Sequence, residues 1–345
     1  MTFKVSSVQF QHRASDKVYN LGRIESFAKQ AVLAGSQLVV FPEMCICGYW
    51  HVPKLDGAGL HDLAEPISGP SVSHVARLAR ERGIAIGAGF LELAGDGALY
   101  NAYAVCMPDG QIHCHRKLHA WEHRLISSGN SFTVFDTPWG IRAGILICWD
   151  NNLIENARAN ALLGAEILLA PHQAGGGQSA SPHGMKRIPV EKWIRRQEDP
   201  EAIEAEIRGP SGREWFLRWL PSRAHDNGMF LVFSNGVGLD EDEVRTGNAM
   251  ILDPYGRILV ETWQAADAIV SAEIDLALLD KCTGQRWIRG RRPALYGCLT
   301  QPNPNCLSPM EAHFSEASTR APSRGRTTPK SQSGKGPPNQ LRDST

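Results

Sequence analysis

The sequence of 345 residues has no excess of charge of either sign. Its 36 lysine and arginine residues equal its 36 aspartate and glutamate residues, so the formal net charge is +0. Proteins that bind nucleic acid through their surface usually carry a clear positive balance, and a strongly acidic balance is typical of proteins with cationic partners. The composition points to neither kind of partner, and we expect no binding of nucleic acid.

Long apolar runs are also missing. No run approaches the roughly 18 consecutive apolar residues that a membrane-spanning helix needs. The first ten residues, M-T-F-K-V-S-S-V-Q-F, do not have the charged start followed by an apolar stretch that marks a secretory signal peptide. We therefore expect a cytoplasmic protein that does not bind membranes.

The eight cysteines do not have the spacing of a metal site or of a redox motif. Cys45 and Cys47 are separated by one residue instead of two, and no second pair accompanies them. Disulfides are rare in the cytoplasm, so the even number of cysteines carries no information about pairing. We expect neither a metal nor another cofactor.

Strand and helix patterns alternate along the first 300 residues, and 42% of the whole sequence is apolar, which is enough for a large core. Three turn sequences, at 108–110, 137–140 and 253–256, lie between strand-like runs and predict antiparallel hairpins. Helices between strands favour parallel pairing, so the sheets should contain both kinds of pairing. The pattern predicts an α/β fold, a four-layer α-β-β-α sandwich of two mixed sheets.

The chain divides by composition into two parts. The polar stretch 177–212 predicts a long functional loop or an insertion, with one short helix at 200–207. A single helix is predicted over 213–226. Toward the C-terminus the chain is rich in proline, serine and threonine, and it has too few apolar residues to offset the entropy lost on ordering. We predict one domain at 1–298 and a disordered tail at 299–345.

Three chemically reactive side chains each end an apolar, strand-like run. They are Glu43, Lys117 and Cys148. Ligands of α/β proteins commonly bind at the carboxyl ends of strands. A lone cysteine in such a place is more often a packing residue than a nucleophile. A thiol together with a carboxylate and an ammonium, however, is a set that can carry out nucleophilic catalysis.

These three residues lie in three longer motifs, F-P-E-M-C-I-C-G-Y at 41–49, H-R-K-L-H-A-W-E at 115–122 and G-I-L-I-C-W-D at 144–150. The motifs resemble those of the nitrilase, or carbon–nitrogen hydrolase, superfamily. Each motif alone is only moderately specific, but all three in this order make a strong match, and the resemblance extends over residues 3–280. It implies a hydrolase that acts on non-peptide carbon–nitrogen bonds of small molecules.

The resemblance also implies a role for each residue. Cys148 would attack the substrate and form a thioester acyl-enzyme, Glu43 would be the general base, and Lys117 would stabilise the charge of the tetrahedral intermediate. The backbone N–H of Trp149 would be a further oxyanion donor. Glu122 is the candidate for a second family glutamate, which orients the lysine or binds the substrate amine. Further candidates for substrate contact are Asp150, Asn151, His172 and Asn235. For His119, substrate contact and a local structural hydrogen bond are both open.

Several activities are compatible with the same residues. Amide hydrolysis with release of ammonia or an amine is favoured because it is the commonest activity of the superfamily. A nitrilase or an N-carbamoyl amine hydrolase is the alternative. Outside these enzymes, an inactive scaffold would have an unreactive Cys148, and a redox sensor would join Cys148 to Cys45 or Cys47 under peroxide. By resemblance we also expect a homo-oligomer.

Overall fold

The computed structural model describes residues 3–176, 183–302 and 304–314. The strands found within these ranges are β1 (Phe3–Gln9), β2 (Leu38–Val40), β3 (Ala85–Leu93), β4 (Leu99–Cys106), β5 (Ile112–Arg116), β6 (Ile126–Ser127), β7 (Val134–Asp136), β8 (Arg142–Ile145), β9 (Ile167–His172), β10 (Phe230–Asn235), β11 (Val237–Asp240), β12 (Glu243–Thr246), β13 (Met250–Leu252), β14 (Ile258–Glu261) and β15 (Ala268–Ile274). The α-helices are α1 (Lys17–Leu33), α2 (Gly57–Leu63), α3 (Pro70–Arg82), α4 (Ile154–Leu162), α5 (Val190–Ile194), α6 (Pro200–Arg208), α7 (Arg213–Leu217), α8 (Leu220–His225), α9 (Ala277–Lys281), α10 (Thr283–Arg289) and α11 (Pro309–Phe314).

In the described part of the chain the strands form two large mixed sheets and one separate hairpin, β11-β12. The first sheet has the order β15-β1-β2-β3-β4-β5, with β6 paired to β4, and the second has the order β14-β13-β10-β9-β8-β7. Each large sheet has parallel pairs at its centre and antiparallel pairs on both sides. The three predicted hairpins are present as β4-β5, β7-β8 and β13-β14.

Alternation of side chains along the strands explains how the layers stack. In β2, Leu38 and Val40 point into a core that both sheets share, whereas Val39 points into a second core against α1 and α3. The outer face of the second sheet packs on α4, α7 and α8 through a third core. Full burial of one such aliphatic side chain contributes about 1.5–3 kcal/mol. The predicted four-layer α-β-β-α sandwich is confirmed.

Local sequence signals set the ends of several helices. Pro70 occupies the start of α3, where no N–H donor is needed, and Gly83 ends this helix with a left-handed φ of 66°. The helix predicted at 200–207 is present as α6. The Asp199 side chain caps it by accepting the N–H of Ala202 at 3.1 Å.

Two other predicted segments differ from the structure. The single helix predicted over 213–226 is wrong, because the chain forms the two helices α7 and α8 there. Pro221 explains the break: inside a continuous helix it would remove a hydrogen bond, but it is tolerated in the first turn of α8. The predicted loop 177–212 contains α5 in addition to α6. Its residues 177–182 lie outside the described residues.

Part of the predicted tail, 299–345, is described. Its residues 309–314 form the helix α11, whereas residues 303 and 315–345 lie outside the described residues. The domain boundary after residue 298 and the disorder of the tail stay predictions. Within the described residues, no helix combines the length and apolar character required to span a membrane.

Candidate active site

The topology brings two of the three candidate residues to one edge of the first sheet. The strands β2 and β5 run in the same direction, because β2 is parallel to β3 while β4 is antiparallel to both β3 and β5. Glu43 follows β2 and Lys117 follows β5, so both lie at the carboxyl ends of strands. Cys148 comes shortly after β8 of the second sheet and begins a 3-10 helical turn, Cys148–Asn152.

Lys117 joins two carboxylates in a buried cluster. Its Nζ donates to Glu43 Oε1 at 2.8 Å and also to Glu122 Oε1. The exposed fractions of the three side chains are only 0% to 1%. Glu122, selected from the sequence as the second glutamate, is thus in direct contact with the lysine. Lysine has three N–H donors, so one remains for a further acceptor.

Two neutral side chains that the sequence analysis missed complete this cluster. Asn101 Nδ2 donates to Glu43 Oε1 at 2.7 Å and to Glu122 Oε1 at 3.0 Å, and the Tyr49 hydroxyl donates to Glu122 Oε1 at 3.3 Å. A signal for Asn101 was present in the sequence. It lies two residues before Tyr103 in β4, on the face that points into the core between the sheets. A buried amide on an apolar face requires polar partners and so marks a polar site.

The pKa values of the two carboxylates shift in opposite directions. Burial raises the pKa of Glu43, and the Lys117 ammonium offsets this only in part. Burial also acts to raise the pKa of Glu122, but the charge and hydrogen bond of Lys117 outweigh it, so the pKa of Glu122 is lowered. Glu43 Oε2 has no hydrogen-bond partner in the described residues, whereas Glu122 Oε2 accepts the N–H of Trp121 at 3.0 Å. Glu43 is therefore the carboxylate with a raised pKa and a free acceptor atom.

Cys148 combines an unusual backbone with a thiol that is held in its neutral form. Its φ of 49° lies in the left-handed region, which costs a non-glycine residue about 1–3 kcal/mol. Burial raises the pKa of the thiol, the charge of Glu43 raises it further, and Lys117 acts in the opposite direction. The residue is nevertheless partly exposed. The resting cysteine therefore needs a base before it can act as a nucleophile.

Asp150 connects the turn that begins with the cysteine to the loop that follows β5. Its carboxylate accepts the N–H of Ile147 at 3.2 Å, that of Leu118 at 3.1 Å and that of His119 at 2.9 Å. The His119 ring Nδ1 lies 2.9 Å from the same carboxylate. Burial acts to raise the pKa of Asp150, but its hydrogen bonds lower it well below the usual range. These contacts support a positioning role, and substrate contact by Asp150 or His119 stays a prediction.

The remaining candidates are buried and bonded within the protein. Asn151 Nδ2 donates to a backbone carbonyl at 2.7 Å and lies 3.2 Å from Nε2 of His172. Burial, assisted by the charge of Lys117, lowers the pKa of His172 to about 3, so its ring is neutral. Asn235 bonds a backbone carbonyl and a backbone N–H, each at 2.8 Å. These contacts hold main-chain segments together, and the predicted contacts of Asn151, His172 and Asn235 with substrate stay predictions.

The backbone around Glu43 packs directly on β3. A Cβ added at Gly89 would lie 2.1 Å from Met44 N and 2.7 Å from Glu43 C, and neither backbone atom can move without shifting the loop. We expect Gly89→Ala to lower the free energy of unfolding by about 1–3 kcal/mol and to reduce catalysis by displacing Glu43. Urea denaturation and steady-state kinetics measure the two effects. Gly95→Ala is the control, because no atom lies within 4 Å of its added Cβ; equal behaviour of both variants would contradict the prediction.

Two further cysteines near the cluster are buried thiols. Burial raises the pKa of Cys45, and it raises the pKa of Cys47 to about 12. Susceptibility to peroxide follows thiolate character and exposure, so these environments disfavour the redox-sensor hypothesis. In residues 3–176, 183–302 and 304–314, no three histidine, cysteine, aspartate or glutamate side chains form a group that could hold a metal ion.

Comparisons with known proteins identify the family. The family described as carbon-nitrogen hydrolase matches residues 4–283. The chain belongs to the carbon–nitrogen hydrolase family. This carbon–nitrogen hydrolase of the nitrilase superfamily is similar to an (R)-stereoselective amidase from a Pseudomonas species, with 33% identity over 263 residues, 75% of this chain and 80% of that protein. It is also similar to the N-carbamoylputrescine amidase of Arabidopsis thaliana, with 28% identity over 315 residues, 86% of this chain and 94% of that protein.

A solved structure shares the fold of this carbon–nitrogen hydrolase. The double mutant of the amidase from Nesterenkonia sp. AN1 in complex with acrylamide superimposes with a TM-score of 0.64 at 20% identity. The match covers 86% of this chain and 97% of that amidase. The architecture of two large mixed sheets is therefore the nitrilase-superfamily fold.

Proposed function

We propose that this carbon–nitrogen hydrolase cleaves a small carboxamide through a thioester on Cys148, with Glu43 as the general base. The observation that carries the proposal is the difference between the two carboxylates beside Lys117. Glu43 has a raised pKa and a free Oε2, whereas Glu122 has a lowered pKa and bonds at both oxygens. Neighbouring acids whose pKa values are pushed apart mark acid–base assignments in enzymes. The similarity to an amidase at 33% identity supports an amide substrate.

In the first half-reaction, Glu43 accepts the thiol proton while the Cys148 sulfur attacks the carbonyl carbon. The remaining N–H of Lys117 and the backbone N–H of Trp149 stabilise the oxyanion of the tetrahedral intermediate. Trp149 stands in the first turn of the 3-10 helix, where N–H groups have no acceptor within the helix. The carbon–nitrogen bond then breaks, Glu43 returns the proton to nitrogen, and ammonia leaves.

In the second half-reaction, Glu43 accepts a proton from water, and the resulting hydroxide adds to the thioester carbonyl carbon. The carbon–sulfur bond breaks, the sulfur regains a proton, and the carboxylic acid leaves. Glu122 exchanges no proton in this scheme; it keeps Lys117 charged and oriented. Burial acts to lower the pKa of Lys117, but the two carboxylates raise it well above its usual value, so the ammonium persists throughout.

Ammonia release from a panel of small amides, nitriles and N-carbamoyl compounds tests the proposal. We expect release from small amides, and we expect the acyl group of the substrate on the Cys148 peptide after an acid quench, detected by mass spectrometry. The Cys298→Ala variant, which lacks an exposed cysteine, is the control and should behave like wild type. Release from nitriles alone would identify a nitrilase. No release from any amide, or an acyl group on another residue, would reject the proposed function.

A further inference from the structure

A short segment near the C-terminus packs against aromatic residues beside the catalytic cluster. Residues 308–314, here called the C-terminal strap, consist of Ser308 and the helix α11. The imidazole of His313 stacks on the Trp121 ring with centroids 3.5 Å apart and an interplanar angle of 18°. It also contacts the Trp149 ring at a centroid distance of 5.2 Å and an angle of 65°. One residue of the strap thus bridges two tryptophans.

These two tryptophans connect the strap to the reacting groups. Trp149 follows Cys148 directly in the chain, and Lys117 Nζ lies 5.7 Å from the centroid of the Trp121 ring. The rings of Trp121 and Trp149 are in edge contact at 6.3 Å. His313 therefore covers aromatic surface that adjoins both the thiol residue and the ammonium. A molecule that approaches the thiol from this side meets the strap.

The sequence of the strap encodes its conformation. The Ser308 N–H donates to Glu311 Oε2 at 2.9 Å, and the Glu311 N–H donates to Ser308 Oγ at 3.2 Å, which is a reciprocal capping box. Pro309 occupies the first helical position, where its fixed φ favours helix formation. Burial, assisted by the charge of Lys117, lowers the pKa of His313 to about 4. The ring that stacks on Trp121 is therefore neutral at pH 7.

We propose that His313 is a specificity-determining residue: the C-terminal strap forms one wall of the substrate entrance and limits the size of the acyl group that reaches Cys148. A packed wall discriminates between substrates by size, because a larger acyl group must displace the wall. One additional methylene in a substrate can change kcat/KM by about 10-fold or more. The kinetic part of this inference rests on the proposed function. Access of reagents to the thiol can be measured without any turnover.

The test compares His313→Ala with wild type in the full chain, using a small and a bulky haloacetamide. Labelling is followed on the Cys148 peptide by mass spectrometry, because Cys298 and Cys306 are exposed and also react. We expect the ratio of bulky to small labelling rates to rise about 10-fold, and the ratio of kcat/KM for long-chain to short-chain amides to rise with it. A general change in the reactivity of the Cys148 thiol alters both labelling rates by the same factor, so it does not alter their ratio. His61→Ala, at an exposed histidine of α2, should leave both ratios unchanged.

Two truncated chains provide a second comparison. A chain that ends at residue 302 lacks the strap and should show the same rise in both ratios, whereas a chain that ends at residue 314 keeps the strap and should match wild type. Unchanged ratios in His313→Ala, or equal changes in both truncated chains, would overturn the inference. If the shorter chain does not fold, His313→Ala decides alone. A raised labelling ratio without hydrolysis of any amide would uphold the strap and reject the proposed function.

Discussion

The Glu43→Gln enzyme is expected to lose about 10²- to 10⁴-fold in kcat, which is the typical contribution of a general base. Glutamine keeps the shape of the side chain and an oxygen that can accept from Lys117 and Asn101, so the buried cluster can stay assembled. It has no basic atom where Glu43 Oε2 now lies, so Cys148 keeps its proton. Steady-state kinetics measure the loss, and an unchanged thermal unfolding curve shows that the fold is intact.

Glu122→Gln is the matched variant, because it makes the same chemical change on the other side of Lys117. In wild type, kcat/KM should fall as the pH drops through the raised pKa of Glu43, because Glu43 must be ionised to accept a proton. The charge of Glu122 contributes to that raised pKa, so in Glu122→Gln the fall in kcat/KM should occur at lower pH. If this fall at acidic pH disappeared in Glu122→Gln and remained in Glu43→Gln, Glu122 would be the base.

The three strand-end residues could be selected from the sequence because each follows directly from local pattern. An apolar run predicts a buried strand, and the residue after the run is then placed at the edge of a sheet. The contacts of Asn101 and Tyr49 are different, because they depend on which strands become neighbours. Asn101 meets a carboxylate 58 residues away in the chain, and Tyr49 meets one 73 residues away. Strand order is set by packing of the whole core, which no single segment encodes.

For the C-terminal strap, a local sequence signal was present, but the average composition of the segment did not reveal it. The composition of 299–345 predicts disorder, because few of its residues are apolar. Composition is an average over the whole segment, so it does not register one short helix with its own capping box. The motif S-P-M-E at 308–311 is a local signal for the start of a helix. A helix this short is not stable alone, so its position depends on the contact of His313 with Trp121, far earlier in the chain. Sequence could indicate this helix but not its place beside the candidate active site.

Lys117→Met is expected to lower the free energy of unfolding by about 3–5 kcal/mol, because it leaves two buried carboxylates without their shared counter-ion. The loss has a definite pH dependence. In the variant, the folded state holds the pKa values of Glu43 and Glu122 above their unfolded value of about 4.3. The penalty is absent where both groups are protonated and grows as the pH rises above that value. Urea denaturation at several pH values measures it, and Lys29→Met, at an exposed lysine of α1, should change stability by less than about 0.5 kcal/mol.

The double variant Lys117→Met/Glu122→Gln separates the structural role of the lysine from its proposed catalytic role. It removes one carboxylate together with the ammonium, so a single buried charge remains and part of the lost stability should return. Catalysis should not return, because no ammonium is left to stabilise the oxyanion. If Lys117→Met had the same free energy of unfolding as wild type at pH 7, then Glu43 and Glu122 would not be ionised together. Recovery of activity in the double variant would show that Lys117 acts only by holding the fold.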